Sequence, residues 1–227
     1  MPGAGRFPEG ELRGVYRAIQ ERRDVRSGFL PEAMSDEVLF RLLEAAHHAP
    51  SVGLMQPWRF ILIRAIGVRR AVHDIFLRAN RAALDSYEGE RAKRYANLKL
   101  EGILDAPQNL CIVCDPESDR GHRLGRHLMP EAAVYSAVCA VQNLWLAARA
   151  EGIGVGWVSI LDKTALRQVL RIPANMIPVA YLCLGHVDQF ALQPDLERAG
   201  WEHRIPLEQV LGFEQYDATW DSEETKP

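Results

Sequence analysis

The segment between Pro130 and Glu151 constrains the fold of this chain more than any other feature of its sequence. Alanine, valine and larger apolar residues recur there at helical spacing over about five turns, at Val134, Ala137, Val138, Val141, Leu144, Trp145 and Ala148. The pattern predicts the longest helix of the chain, which Gly152 ends. Because most of these side chains are small, other elements can approach closely. We therefore expect a central core helix or a helix at a dimer interface.

Shorter patterns on both sides of this segment predict the remaining elements. Apolar runs predict strands at 59–64, 109–114, 154–160 and 178–185. Amphipathic spacing predicts helices at 11–23, 35–48, 68–79 and 162–170. The strands are scattered and helices outnumber them, which leaves an α+β or a mixed α/β class open. Either class would form one sheet and a long central helix, in a single domain over residues 1–227.

Composition and charge exclude several classes of function. A hydrophobic content of 48% and a charged content of 25% are ordinary for a globular chain with a buried core. A net charge of −3 gives no electrostatic case for nucleic acid. No stretch reaches the roughly 18 uninterrupted apolar residues of a membrane span, and residues 1–10 lack the apolar core of a signal peptide. We expect a cytoplasmic protein.

Two patterns suggest metal or redox chemistry, and in both the setting argues against it. Cys111 and Cys114 form a C-x-x-C, but they lie in a predicted strand that directs them to opposite faces. Burial of both thiols would fit a reducing compartment. His47 and His48 are adjacent on a helix, about 100° apart, with no evident third ligand. The sequence therefore predicts no metal site.

A cluster of charges follows the first predicted helix, in the run Arg22-Arg23-Asp24-Val25-Arg26. Guanidinium groups match phosphate oxygens in pairs, so the arginines suit an anionic ligand. Asp24 would repel a phosphate, by about 4 kcal/mol at about 4 Å and an effective dielectric of about 20. Asp24 therefore either neutralises its neighbours or faces another part of the ligand and handles a proton. A solvated charge run that closes a surface helix is the remaining interpretation.

The segment 49–58 predicts a ligand-binding loop between a helix and a strand. Ser51, Gln56 and the backbone N–H of Gly53 could hydrogen-bond a planar polar ligand, with Pro50 packing on its face. Each of these groups also has an ordinary structural role in a turn.

Four other segments complete the sequence pattern. The glycines of the strand at 154–160 leave room for a ligand or for another backbone, and their spacing is not that of a dinucleotide fingerprint. Residues 84–104 are charged and helical in propensity, with a break near Gly89, which indicates an exposed lid. Residues 186–227 show little periodicity, so we expect a tail that wraps a partner subunit. The polar loop at 115–125 suggests no role.

Several of these motifs together resemble the FMN-dependent nitroreductase fold, over about residues 11–210. They are the Arg-x-x-x-Arg cluster, Ala49-Pro-Ser with Gln56-Pro-Trp, and the Gly-x-Gly-Trp strand that begins at Gly154. The resemblance implies an α+β fold with one mixed sheet flanked by helices and a long central helix. It also implies a homodimer with FMN in its interface. It also implies that the arginine cluster and Arg204 hold the phosphate, and that the 49–58 loop reaches the flavin from the other subunit.

The similarity is greatest to the 5,6-dimethylbenzimidazole synthases, because nitroreductases and deiodinases usually carry Ser where this chain has Asp24. The resemblance implies that reduced FMN is itself the substrate. It also implies that molecular oxygen fragments reduced FMN to the lower-ligand base of vitamin B12, and that a separate flavin reductase supplies the reduced FMN. Asp24 would be the acid/base and Ser159 a hydrogen-bond donor to the flavin. The implied FMN contacts are Arg22, Arg23, Asp24, Val25, Arg26, Pro50, Ser51, Gln56, Lys99, Leu100, Gly156, Trp157, Val158, Ser159 and Arg204.

Two alternatives use the same fold and cofactor. The first is an NAD(P)H-dependent nitroreductase or flavin reductase, which would turn over with its flavin intact. The second is a non-catalytic FMN-binding or storage module, which would bind reduced flavin in air without losing it. A carboxylate among the arginines argues against storage, because it weakens phosphate binding for no gain.

Overall fold

The computed structural model describes residues 5–216, and its elements follow the predicted pattern. The helices are α1 (Glu9–Glu21), α2 (Asp36–His47), α3 (Ile66–Leu84), α4 (Gly89–Ala96), α5 (Ala132–Ala150), α6 (Lys163–Leu170) and α7 (Asp195–Arg198). The strands are β1 (Trp58–Ile63), β2 (Gln108–Cys114), β3 (Ile153–Val158) and β4 (Ile177–His186). The α+β class is confirmed, and α3 is longer than predicted at both ends.

The four strands form one sheet in the order β1-β2-β4-β3, with antiparallel neighbours throughout. The expectation of a mixed sheet is therefore wrong for these strands. The physical reason is the position of β4. β2 and β3, which α5 joins, run in the same direction, but β4 lies between them, so they form no parallel ladder. Parallel pairing occurs instead at an isolated bridge between Asp24 and Val155 of β3.

The sheet has a helical layer on each face. On one face α2 packs against α5 over the sheet, with Leu42, Leu144 and Leu182 in the core. On the other face α3 packs against α6, with Phe76 and Leu166 in a second core. Both layers bury aliphatic side chains that alternate along the strands, which is the main source of stability for such an arrangement.

The two cysteines of the C-x-x-C lie on opposite faces of β2, as predicted. Cys114 belongs to the core beneath α5 and Cys111 to the core beneath α3. Burial raises the pKa of the Cys111 thiol to about 12 and is the larger cause that raises the pKa of Cys114 to about 11. Both thiols are therefore protonated structural residues.

The central position predicted for α5 is confirmed. Ala137, Val141 and Leu144 are fully buried, and α5 contacts α1, α2 and all four strands of the sheet. The helix has 19 residues, the same number as α3, so the prediction that it is the longest was wrong. Its Tyr135 and Val138 are 55% and 39% exposed, so one face of α5 is open in the single chain.

Two helices have side-chain N-caps. The Ser35 hydroxyl accepts a hydrogen bond from Val38 N at 3.3 Å at the start of α2. Asp162 accepts from Ala165 N at 2.7 Å at the start of α6. Each cap satisfies one of the backbone donors that the first turn of a helix leaves unpaired.

Residues 5–216 present no candidate for a membrane span or for a metal cluster. No helix there combines the length and the apolar character that crossing a bilayer requires. In the same residues, no group of three or more His, Cys, Asp or Glu could hold a metal ion. His47 instead accepts a hydrogen bond from Trp58 Nε1 at 3.1 Å, which ties the end of α2 to the start of β1.

Candidate functional site

The arginine cluster is held in an extended segment that packs against β3. Helix α1 ends at Glu21, and Val25 N then donates to Val155 O at 3.0 Å. A Cβ at Gly156 would lie 2.0 Å from the carbonyl oxygen of Val25. The glycine at this position is therefore required by the close approach of another backbone, which decides between the two interpretations that the sequence left open.

Asp24 is bound on both carboxylate oxygens. Oδ2 accepts from Arg26 Nη2 at 2.6 Å and from Arg26 Nε at 3.0 Å, a bidentate pair in which both side chains are largely buried. Oδ1 accepts from the backbone N–H of Trp157 at 2.9 Å. Asp24 thus neutralises Arg26 and joins the cluster to β3.

Arg22 and Arg23 are the other half-buried cations of the cluster. The Arg22 guanidinium lies 4.7 Å above the ring of Trp145 on α5. Burial lowers the pKa of Arg22, Asp24 opposes that shift, and the like charges of Arg204 and Arg23 add to it. These repulsions would be relieved by an anion placed between the guanidinium groups.

Arg23 is fixed by backbone carbonyls and keeps one free donor. Its guanidinium donates to the carbonyl oxygens of Arg22 at 2.8 Å and Leu192 at 2.5 Å. Its Nε is buried and has no hydrogen-bond partner among the described residues. An unpaired buried donor is costly, so this atom is a candidate contact for a ligand oxygen.

A cavity of about 200 Å³ brings the predicted phosphate contacts together. Four arginines and two carboxylates line it: Arg22, Arg23, Arg26, Arg204, Asp24 and Asp195. A second cavity of about 530 Å³ adjoins the same cluster and is closed by residues 188–195 and Arg198 of the tail. The sequence anticipated Arg204 at this place, but only through the resemblance, since no local pattern marks it.

The first part of the predicted tail covers its own chain. Asp188 N donates to Gly28 O at 3.0 Å, and Val187 bridges Phe29. Asp195 lines both cavities and was missed by the sequence interpretation, because it stands in a segment without periodicity. Residues 205–216 lie at the surface with apolar side chains exposed, and the remaining tail residues, 217–227, lie outside the described part of the chain.

The segment around Lys99 reaches the cluster through its backbone. Lys99 O accepts from Arg26 Nη1 at 3.4 Å. The Lys99 ammonium instead pairs with Glu101 at 2.9 Å and Asp105 at 2.8 Å. Burial by itself lowers the pKa of Lys99, but the hydrogen bonds to Asp105 and Glu101 outweigh it and raise the pKa. Leu100 packs partly buried against the core beneath α3.

The 49–58 loop lies elsewhere in the single chain, and none of its residues lines the two arginine cavities. Ser51 Oγ accepts from Gln56 N at 3.1 Å. The Gln56 carboxamide oxygen accepts from Arg120 Nη2 at 3.1 Å. The polar loop at 115–125, for which the sequence suggests no role, therefore supports the 49–58 loop. The structure brings Pro50, Ser51 and Gln56 together with each other but not with the arginines.

Ser159 is also separate from the arginine cavities. It is exposed just after β3 and lines a cavity of about 240 Å³ with Trp157 and Val158. Its hydroxyl has no hydrogen-bond partner within the described residues. Trp157 connects the Ser159 cavity to the arginine cluster. Its backbone N–H donates to Asp24, and its ring centroid lies 6.2 Å from that of Trp145.

Comparisons with known proteins show the family to which this chain belongs. Residues 19–186 match the model of the Nitroreductase family. The chain belongs to the nitroreductase family. Among nitroreductase-family proteins, the 5,6-dimethylbenzimidazole synthase of Rhodospirillum rubrum is 46% identical over 193 residues, 85% of this chain and 91% of that protein. A protein of the same name from Rhodobacter capsulatus is 42% identical over 202 residues, 89% of this chain and 97% of that protein.

Solved structures confirm the nitroreductase-like fold. An iodotyrosine deiodinase bound to FMN and 3-iodo-L-tyrosine matches with a TM-score of 0.67 at 20% identity, over 79% of this chain and 92% of that one. A BluB-like flavoprotein from Clostridium difficile matches with a TM-score of 0.65 at 21% identity, over 88% and 99%. Identities this low establish a shared fold only.

Proposed function

We propose that this chain is a 5,6-dimethylbenzimidazole synthase, an oxidoreductase that consumes reduced FMN and molecular oxygen. The observation that carries the proposal is the carboxylate of Asp24 inside a cavity lined by four arginines, in a chain 46% identical to a 5,6-dimethylbenzimidazole synthase over 85% of its length. The product would be the lower-ligand base of vitamin B12.

The residues of the arginine cavity fit the phosphate of FMN. Arg26 is neutralised by Asp24, which leaves Arg22, Arg23 and Arg204 to balance a dianion. The unpaired Nε of Arg23 supplies a buried donor, and charge-assisted hydrogen bonds of this kind are about twice as strong as neutral ones. The larger adjoining cavity of about 530 Å³ would hold further parts of the same ligand.

When bound in its reduced form, FMN supplies the electrons and the carbon skeleton for an oxygen-dependent fragmentation. Asp24 is the group of this chain that holds or moves a proton there. Its orientation is set by the Trp157 N–H at 2.9 Å. Ser159 offers a hydroxyl with no competing partner among the described residues. The segment at 84–104 would exclude water from this chemistry.

A homodimer would complete the site, with Pro50, Ser51 and Gln56 reaching the flavin from the partner subunit. Exposed apolar side chains on α1 support it. Val15, Tyr16 and Ile19 are 48%, 56% and 46% exposed, which is unusual for three neighbours on one helix face. Tyr135 on the open face of α5 and the apolar residues of 205–216 are exposed apolar side chains of the same kind. A separate flavin reductase would supply the reduced FMN.

The test is to mix the protein with reduced FMN in air and to separate the products by chromatography. We expect stoichiometric loss of FMN and the appearance of 5,6-dimethylbenzimidazole. Steady turnover of NADPH and a nitroaromatic with intact flavin would instead establish a nitroreductase. Binding of reduced FMN in air without any loss of flavin would establish a storage module. Either result would refute the proposal.

A further inference from the structure

The turn after α7 connects the arginine cavity to Trp201. Trp201 N donates to Leu196 O at 2.9 Å and Gly200 N to Glu197 O at 3.0 Å, the two bonds of a Schellman motif. Gly200 takes the left-handed conformation that the motif needs, with φ +65°. Leu196 of this turn lines the arginine cavity. Trp201 is thus tied through a closed turn to the wall of that cavity.

Residues 84–104, the predicted lid, contact Trp201 although they lie about 100 residues earlier in the chain. The ring of Trp201 meets Tyr87 edge-on at 5.6 Å and Tyr95 at 6.0 Å between centroids. Arg94 Nη1 donates to Gly200 O at 2.9 Å. Tyr95 is itself buried, and its hydroxyl donates to Asn80 Oδ1 of α3 at 2.8 Å. Edge-to-face aromatic pairs add to the burial energy of their rings, so these contacts favour one position of Trp201.

Arg204 depends on this anchor. Between Trp201 and Pro206 the chain makes no backbone–backbone hydrogen bond to another described residue. Arg204 is exposed, yet its charge acts on Arg22 in the same cavity. Like charges separate in water unless the backbone or a ligand holds them together. Trp201 is the last residue before Arg204 with a backbone hydrogen bond to another element, and His203 adds only an exposed contact to Glu197 at 3.8 Å. The backbone bond and the ring contacts of Trp201 therefore set where the Arg204 guanidinium lies.

We propose that Trp201 is the positioning residue for Arg204, so that the phosphate-specific part of flavin binding depends on the aromatic contact between the lid and the tail. The proposal rests on the assignment of the FMN phosphate to the arginine cavity. It predicts that closure of the lid and recognition of the phosphate are coupled, because both require Trp201 to pack on Tyr87 and Tyr95.

The experiment compares FMN with riboflavin, which has the same ring and chain but no phosphate. Both are titrated against the wild type, Trp201→Ala, Trp201→Phe and Arg204→Ala by the change in flavin fluorescence. We expect Trp201→Ala and Arg204→Ala to lose about tenfold or more of the affinity for FMN, and about twofold or less of that for riboflavin. Trp201→Phe keeps a ring for the lid and should restore most of the discrimination.

Two further measurements keep the outcome decisive. Tyr87→Ala changes the lid and leaves the tail intact, and it should cause a smaller loss of the same FMN-specific kind. In the double variant of Trp201 and Arg204, the losses should be less than additive, since one residue acts through the other.

The proposal is overturned if Trp201→Ala, with an unchanged circular dichroism spectrum, keeps the wild-type preference for FMN or loses both flavins equally. A wild type that binds riboflavin as tightly as FMN refutes the phosphate assignment itself. The failure of the proposed function and the failure of this inference are therefore distinguishable.

Discussion

Asp24→Asn removes one charge from the arginine cavity and keeps the shape of the side chain. The amide oxygen can still accept from Trp157 N, as the carboxylate does at 2.9 Å. The amide nitrogen, however, would face the Arg26 guanidinium, which now donates to Asp24 at 2.6 and 3.0 Å. The substitution therefore breaks the bidentate ion pair and leaves the bond to β3.

The cost to stability follows from that pair. Hydrogen bonds to charged groups contribute about 1.5–3 kcal/mol each. The two bonds share one oxygen, and the Arg26 and Asp24 side chains are 14% and 27% exposed. Screening by solvent lowers the estimate to about 1–2 kcal/mol. For a chain of this size the melting temperature should fall by about 2–8 °C.

The substitution should lower the rate of product formation far more than it lowers stability, and it should not weaken the binding of FMN. Affinity for FMN should be kept or increased, because a negative charge near the phosphate is lost and Arg26 becomes available. Formation of 5,6-dimethylbenzimidazole should fall by about 10²- to 10⁴-fold, the usual contribution of a general acid or base. Flavin fluorescence measures the binding, and chromatography of aerated reactions with reduced FMN measures the product.

Asp195→Asn is the matched control. Asp195 lines the same cavity and also pairs with an arginine, Arg198, at 2.8 Å. Its loss changes the charge of the cavity equally but should leave product formation within about threefold of the wild type, since the proton-handling group is intact. Product formation by Asp24→Asn at the wild-type rate would refute the role of Asp24. Loss of FMN binding would show that Asp24 is structural.

Three other predictions follow from burial and packing. Gly156→Ala places a Cβ 2.0 Å from a backbone carbonyl of the arginine cluster, so it should cost several kcal/mol, about 3 or more, and abolish flavin binding. Gly67→Ala, with open space around the new methyl, should be neutral or stabilising in thermal melts. Ser159→Ala should change stability by less than about 0.5 kcal/mol, since the side chain is exposed, yet lower product formation. Free thiols in the unfolded chain titrate near pH 8.5, whereas the pKa values of Cys111 and Cys114 are raised to about 12 and about 11. The folded state thus holds more protons above pH 8.5, and the free energy of unfolding, measured in urea between pH 7 and about pH 10.5, should be constant below that pH. It should then fall by roughly 1.4 kcal/mol per pH unit for each thiol. A flat profile would contradict the burial argument.

The sequence by itself determined the elements and their faces. The spacing of apolar residues in α5 predicted a helix and its core-facing side, on which Ala137 and Val141 are fully buried. The three-residue separation of Cys111 and Cys114 placed them on opposite faces of β2. These properties depend on local periodicity and local hydrogen bonding, which a sequence displays directly.

The tertiary structure alone decided which elements meet. That Asp24 neutralises Arg26 and also accepts from the N–H of Trp157, 133 residues away, is visible only in the folded chain. The antiparallel order of the sheet depended on β4 lying between β2 and β3. The tail from Val187 to Arg204 closes over the chain's own arginines, although its sequence has no periodicity. Such contacts join segments that are far apart in the sequence. Which of these segments pack together depends on the free energy of the whole fold, and local sequence patterns do not show it.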